Sequence, residues 1–240
     1  MPINFPTSLD SLSNPSASDV LDGALLHSVQ HANANDILEA LEAKLGIGAS
    51  TPAQGKLLKG TGAGSSAWLA LGTARQMLRV NAAGTDLEFF TVPAVRVYHN
   101  AAQSISNTTF TTLAFNSEAT TGFDTEAMHD LVTNNSRITI VTPGVYLVGA
   151  SVDFAANATG VRLVVLHRFA SGGGGDTAIA SVDGVTIGTV DDHSMSLVTA
   201  YAMAAGDYFT LQVWQNSGGA LNVPASSAYS PEFWAVWVSP

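Results

Sequence analysis

The chain predicts a mainly β protein. Its C-terminal part, residues 94–240, reads as an antiparallel jelly-roll sandwich, preceded by an extended N-terminal arm, one short helix and a small stalk of β repeats. Three observations lead there. After Pro93, strand-length apolar runs alternate with Gly, Pro and Asp turns to the C-terminus, with almost no helical periodicity. A repeat of 20 residues precedes that change, and Pro/Ser/Asn-rich sequence precedes the repeat. None of the earlier pieces can bury a core by itself, so compactness must come from the last 147 residues or from other chains.

Taken in order, residues 1–23 place Pro2, Pro6 and Pro15 among Ser, Asn and Asp. Proline fixes φ and opposes helix, which leaves an extended arm. Phe5, Leu9, Leu12, Val20 and Leu21 are spaced along it as apolar anchors suited to docking on a partner. From His27 to Leu45 the pattern turns helical: Ala34, Leu38, Leu41 and Leu45 follow at intervals of 4, 3 and 4, with Ile37 beside them and Gly46 as the stop. A single helix of this length is marginal in water, so its seam needs a sister helix or another protein. Residues 1–50 are therefore expected to anchor the chain.

Residues 51–93 hold the repeat. Gly55-Lys56-Leu57-Leu58-Lys59-Gly60 recurs as Arg75-Gln76-Met77-Leu78-Arg79-Val80, and Gly64 recurs as Gly84. Each copy predicts a strand, an Ala-Gly turn and a second strand ending in an aromatic segment, Trp68-Leu69 or Phe89-Phe90. Isolated hairpins are barely stable, so such units suit a narrow stalk to which several chains contribute.

In residues 94–240 the predicted strands are Ala94–His99, Thr108–Phe115, Arg137–Val141, Val145–Phe154, Arg162–Arg168, Ala178–Ile187, Ser194–Met203, Tyr208–Gln215 and Phe233–Val238. Turns are expected at Thr142-Pro143-Gly144, Gly172–Gly175, Asp183-Gly184, Ala205-Gly206-Asp207 and Ser217-Gly218-Gly219. The last strand, Phe233-Trp234-Ala235-Val236-Trp237-Val238, is apolar on both faces, which fits a subunit interface better than a monomer.

Composition narrows the function classes. Net charge is −10, with −7 over residues 94–240, where there is no lysine; a phosphate backbone would be repelled, so no nucleic-acid partner is expected. There are no cysteines, which removes disulfides, thiolate metal sites and thiol nucleophiles. The N-terminus Met1-Pro2-Ile3-Asn4-Phe5-Pro6 lacks the basic and apolar regions of a signal peptide, and no run is long enough to span a membrane. The reading is of a protein made in a cytoplasm, with no membrane insertion.

Two resemblances follow from the residues. Arg137-Ile138-Thr139-Ile140-Val141-Thr142-Pro143-Gly144-Val145-Tyr146-Leu147, then Leu197 through Ala205-Gly206-Asp207-Tyr208-Phe209-Thr210-Leu211, then the aromatic strand Phe233–Val238, resemble in order the C1q/TNF-like trimeric jelly-roll superfamily. That likeness implies the fold and a homotrimer. The family's cysteines, collagen-like stalk and secretion signal are absent. Phe5-Pro6-Thr7-Ser8-Leu9-Asp10-Ser11-Leu12, the segment His27–Leu41 and the repeat resemble N-terminal modules and fibre stalks of tailed-bacteriophage virion proteins. This implies an N-terminus attached to the particle and a head facing outward.

Chemistry is sparse. Asp191-Asp192-His193 could hold a cation only if a loop converged the three, and a solvated acidic turn is expected instead. Asp124, Glu126 and Asp130 supply carboxylates but not a spacing that implies glycoside hydrolysis. No catalytic residue, cofactor or metal is expected, and the protein is read as no enzyme. The expectation is a homotrimeric virion protein, a capsid decoration or head fibre bound to other virion proteins through residues 1–50. Tyr201, Trp214, Phe233, Trp234 and Trp237 are the candidate trimer-interface residues. The alternative is a tail fibre recognising a host surface glycan or protein through loops 171–176 and 216–230; a polysaccharide-degrading spike ranks below both.

Overall fold

A computed structural model describes residues 27–45, 55–62, 65–118, 123–185, 192–225 and 231–240. The arm residues Phe5, Leu9, Leu12, Val20 and Leu21 lie outside the described residues, as do Asp191 and the side chain of Leu45. The chain divides into two compact units, Met1–Phe90 and Thr91–Pro240.

The N-terminal unit contains helix α1 (His27–Leu45) and two antiparallel hairpins, β1 (Leu57–Gly62) with β2 (Ser65–Leu69) and β3 (Met77–Val80) with β4 (Leu87–Phe90). The 20-residue repeat reappears as geometry: Leu58 lies opposite Trp68, and Leu78 opposite Phe89. Lys59 and Arg79, equivalent in the repeat, both find acids. Lys59 reaches across to Asp86 of the second hairpin at 2.6 Å, and Arg79 pairs with Glu88 at 2.8 Å while lying over the Phe90 ring. The Lys59 ammonium, with the Leu87 N–H, holds the Asp86 carboxyl below its ordinary range. The second turn is closed by Asn81, whose Oδ1 accepts from the Thr85 N–H at 2.9 Å.

The C-terminal unit is the expected antiparallel jelly-roll sandwich. Its strands are β5 (Ala94–Tyr98), β6 (Gln103–Ile105), β7 (Thr111–Thr112), β8 (Ser117–Glu118), β9 (Arg137–Thr139), β10 (Gly144–Phe154), β11 (Val161–Phe169), β12 (Thr177–Val185), β13 (His193–Met203), β14 (Tyr208–Gln215), β15 (Leu221–Val223) and β16 (Glu232–Ser239). The first sheet has the order β13-β10-β16-β5-β8. The second has β12-β11-β14-β7, with β9 also on β14, and β15 pairs with β6 separately. Apart from the β11–β12 hairpin, neighbours in these orders are not consecutive in sequence, so the sheets form only when the whole unit folds.

Period-two alternation sets the core. Tyr146, Val148, Ala150, Val152 and Phe154 point inward from β10, and Phe209, Leu211 and Val213 from β14. Two buried polar side chains, Arg162 and His129, are tied to backbone carbonyls. Arg162 is fully buried and donates to the carbonyls of Thr159, Val161 and Asn157, and burial lowers its pKa. His129 places Nδ1 2.9 Å from the Arg137 carbonyl and Nε2 2.9 Å from the Phe115 carbonyl, stapling residues 123–136 onto the sandwich.

Two sequence expectations are corrected. Thr108–Phe115 is not one strand: Thr108 takes a positive φ of 57°, and only Thr111–Thr112 join a sheet. Asp183-Gly184 is no turn. Both residues continue β12, facing Leu163 and Arg162 of β11, because side-chain packing along the hairpin outweighs the local turn preference of Asp-Gly.

Candidate functional site

The outward face of the first sheet is where the described structure is unfinished. Leu147 of β10 stands between Ala200 of β13 and Val236 of β16; one pleat along, Gly149 stands between Val198 and Trp234. Val145 opposite Ala202 extends the row. Leu147 and Val198 are exposed, Val198 by 57%. The patch ends at Ser151, Ser196 and the Arg96–Glu232 ion pair. An apolar centre with a polar, charged edge is the anatomy of a protein interface.

Gly149 positions the central aromatic of this face. The Trp234 indole lies directly over it: a Cβ at 149 would sit 2.8 Å from Trp234 Cε2 and 3.0 Å from the Leu197 carbonyl oxygen. Trp234 is thereby laid flat on the sheet, half-buried, with the rest of its surface outward.

The five aromatic candidates are divided by the alternation. Trp234 lies on this outward face. Phe233 does not belong to an interface between chains: it is fully buried in its own sandwich, its ring centroid 5.4 Å from that of Phe115. Tyr201 and Trp237 also turn inward and pack against the core, because both lie opposite the buried Tyr146. Trp214 is on the outward face of the second sheet, beside Phe110 at 6.5 Å between centroids. Leu147, Val198, Ala200 and Val236, which aromaticity does not point to, share the outward face with Trp234. A signal for them was present: Ser194 and Ser196 alternate with Met195 and Leu197, which marks Val198 and Ala200 as outward.

In the N-terminal unit, Leu38 and Leu41 are each 51% exposed, and Ile37 and Ala34 are exposed with them. Leu57, Met77, Leu78 and Val80 of the hairpins are exposed too.

The remaining candidates are occupied locally. Asp124 accepts from the N–H groups of Met128 and His129, Asp130 from those of Val132 and Thr133, and Glu126 from the Thr142 hydroxyl. Asp192 Oδ1 accepts from the Ala156 N–H at 3.2 Å, while His193 opens β13 opposite Phe154. Among the described residues no group of three His, Asp or Glu is arranged to hold a metal ion, and no helix is long and apolar enough to cross a membrane.

No protein-family model matches the chain, and no curated protein matches it. Solved structures similar to it include murine APRIL at pH 5.0, with 11% identity over 62% of this chain and 100% of that one, at a TM-score of 0.46. Another is the Eiger TNF of S. frugiperda, with 14% identity over 62% and 93%, at a TM-score of 0.44.

Proposed function

We propose that the chain is a non-enzymatic structural protein of a tailed-phage particle. In this reading it is a homotrimeric decoration or head fibre, anchored by residues 1–50 and presenting residues 94–240 outward. The observation that carries this reading is the outward face of the first sheet, where exposed Leu147 and Val198 stand beside half-buried Trp234 and Val236, an apolar surface that the described residues leave open. Exposed leucines on α1 and exposed apolar side chains on both hairpins repeat the same condition in the N-terminal unit. Chains that lack a cover at several places along their length find it most simply in copies of themselves. Three joined arms then bind a particle with an avidity that no single arm has. The phage assignment rests on the sequence likeness of residues 5–12, 27–41 and the repeat to virion modules.

Native mass spectrometry of the full chain tests the assembly. Three chains are expected, and a L147E/V198R variant is expected to keep its β circular dichroism but run as one chain. A monomeric wild-type protein overturns the reading. Immunogold labelling of particles with antibody to residues 94–240 tests the location: label over the head supports decoration, and label confined to the tail replaces it with the tail-fibre reading.

A further inference from the structure

The second sheet carries a feature that the trimer does not use. On its outward face Phe110, Leu163, Val165, His167, Ala178, Ser181 and Gln212 line an open groove of about 430 Å³, within the range of small-molecule sites. Its floor is apolar, from Leu163 and Val165 of β11 and Ala178 of β12. One end is aromatic: Phe110, 53% exposed, stands tilted against Trp214. Polar groups stand around that floor. His167 is held in place twice, its Nδ1 bonded to Asp176 at 2.6 Å and its ring stacked on Phe169, and it lines the groove. Gln212 adds an amide and Ser181 a hydroxyl.

We propose that this groove binds a neutral pyranose unit of a surface glycan. A sugar ring needs an apolar surface for its C–H face and fixed amide, imidazole or hydroxyl groups for its hydroxyls. Phe110 with the aliphatic floor supplies the first, and Gln212, His167 and Ser181 the second. Charge selects the class of sugar. No Lys, Arg, Asp or Glu lines the groove, and the charged residues beside it, Asp176 and Asp183, are acids that repel a sialic or uronic acid. The proposal rests on the trimer proposed above, whose interface is the first sheet.

The test is saturation-transfer NMR on the full chain with the methyl glycosides of glucose, galactose, mannose and N-acetylglucosamine, beside sialic acid and N-acetylphenylalaninamide. Transfer to at least one neutral glycoside is expected. Affinity should fall at least tenfold, about 1.4 kcal/mol, in Phe110→Ala, fall also in Gln212→Ala, and be kept in Phe110→Tyr, with far-ultraviolet circular dichroism unchanged. No transfer to any neutral glycoside, transfer only to sialic acid or to the peptide probe, or binding indifferent to Phe110→Ala overturns the proposal. Native mass read on the same sample judges the trimer separately, so a trimer without glycoside binding removes the groove assignment alone.

Discussion

Gly149 has no side chain because Trp234 fills the space where one would stand. Gly149→Ala therefore forces the indole off the sheet and crowds the Leu197 carbonyl, and overpacking of this kind costs about 1–3 kcal/mol. Urea unfolding should show a lowered midpoint, and adding Trp234→Ala should restore part of it. Asp207 is decided by a different balance. Burial alone would raise its pKa, but hydrogen bonds from Arg168 at 2.5 Å and from the N–H groups of Ser171 and Ala204, with the Arg168 charge, hold it below the ordinary carboxylate range. A lowered folded-state pKa adds stability that is complete above the unfolded value of about 3.9 and is lost as pH falls through the lower folded value. Asp207→Asn should thus cost about 2–3 kcal/mol at neutral pH. Its deficit against the wild type should shrink in unfolding curves taken at successively more acid pH below 4.

Among the elements, α1 and β16 have the same difficulty in different forms. A 19-residue helix in isolation is marginal, and the exposed Leu38 and Leu41 add no stability until another surface covers them. Leu38→Asp with Leu41→Asp is expected to leave the melting of the sandwich unchanged and to raise by at least tenfold the concentration at which the trimer dissociates, read by analytical ultracentrifugation. Unchanged assembly would show that the helix does not hold the trimer together. Strand β16 was legible as apolar on both faces, and that much holds. Phe233 and Ala235 enter the core of their own chain, and Trp234 and Val236 lie on the outward face. The helix His27–Leu45 and the strand Tyr208–Gln215 were legible to the residue, because periodicity and caps are local signals. Thr108–Phe115 was not, because its course depends on the Phe115 N–H bonding to the Asn135 carbonyl, a partner 20 residues away.

For the molecule as a whole, the two sheets of the C-terminal unit take opposite parts. The first has an apolar outward face, the one proposed above to meet like chains; the second has an aromatic-ended groove on its outward face. In the proposed trimer, the excess of acids, at −10 overall, opposes association of free chains, and close apolar contact has to overcome that repulsion. Raising the ionic strength should therefore speed trimer assembly, which light scattering during refolding would follow; slower assembly in salt would mean that charge pairs bring the chains together.

The sequence by itself determined the class of fold, the paired hairpins, the helix His27–Leu45 and the absence of thiol chemistry. These follow from composition and from periods of 2, 3.6 and 20 residues, which need no knowledge of distant partners. Only the tertiary structure decided which of two apolar faces is core. Phe233 and Trp234 are neighbours in an unbroken apolar run, and a shift of one residue exchanges their sides, so the choice rests on pairing with β10 and β5 from remote parts of the chain. The groove is tertiary for the same reason. Phe110, His167, Ser181 and Gln212 come from four separate segments, and long-range strand pairing alone brings them to one face.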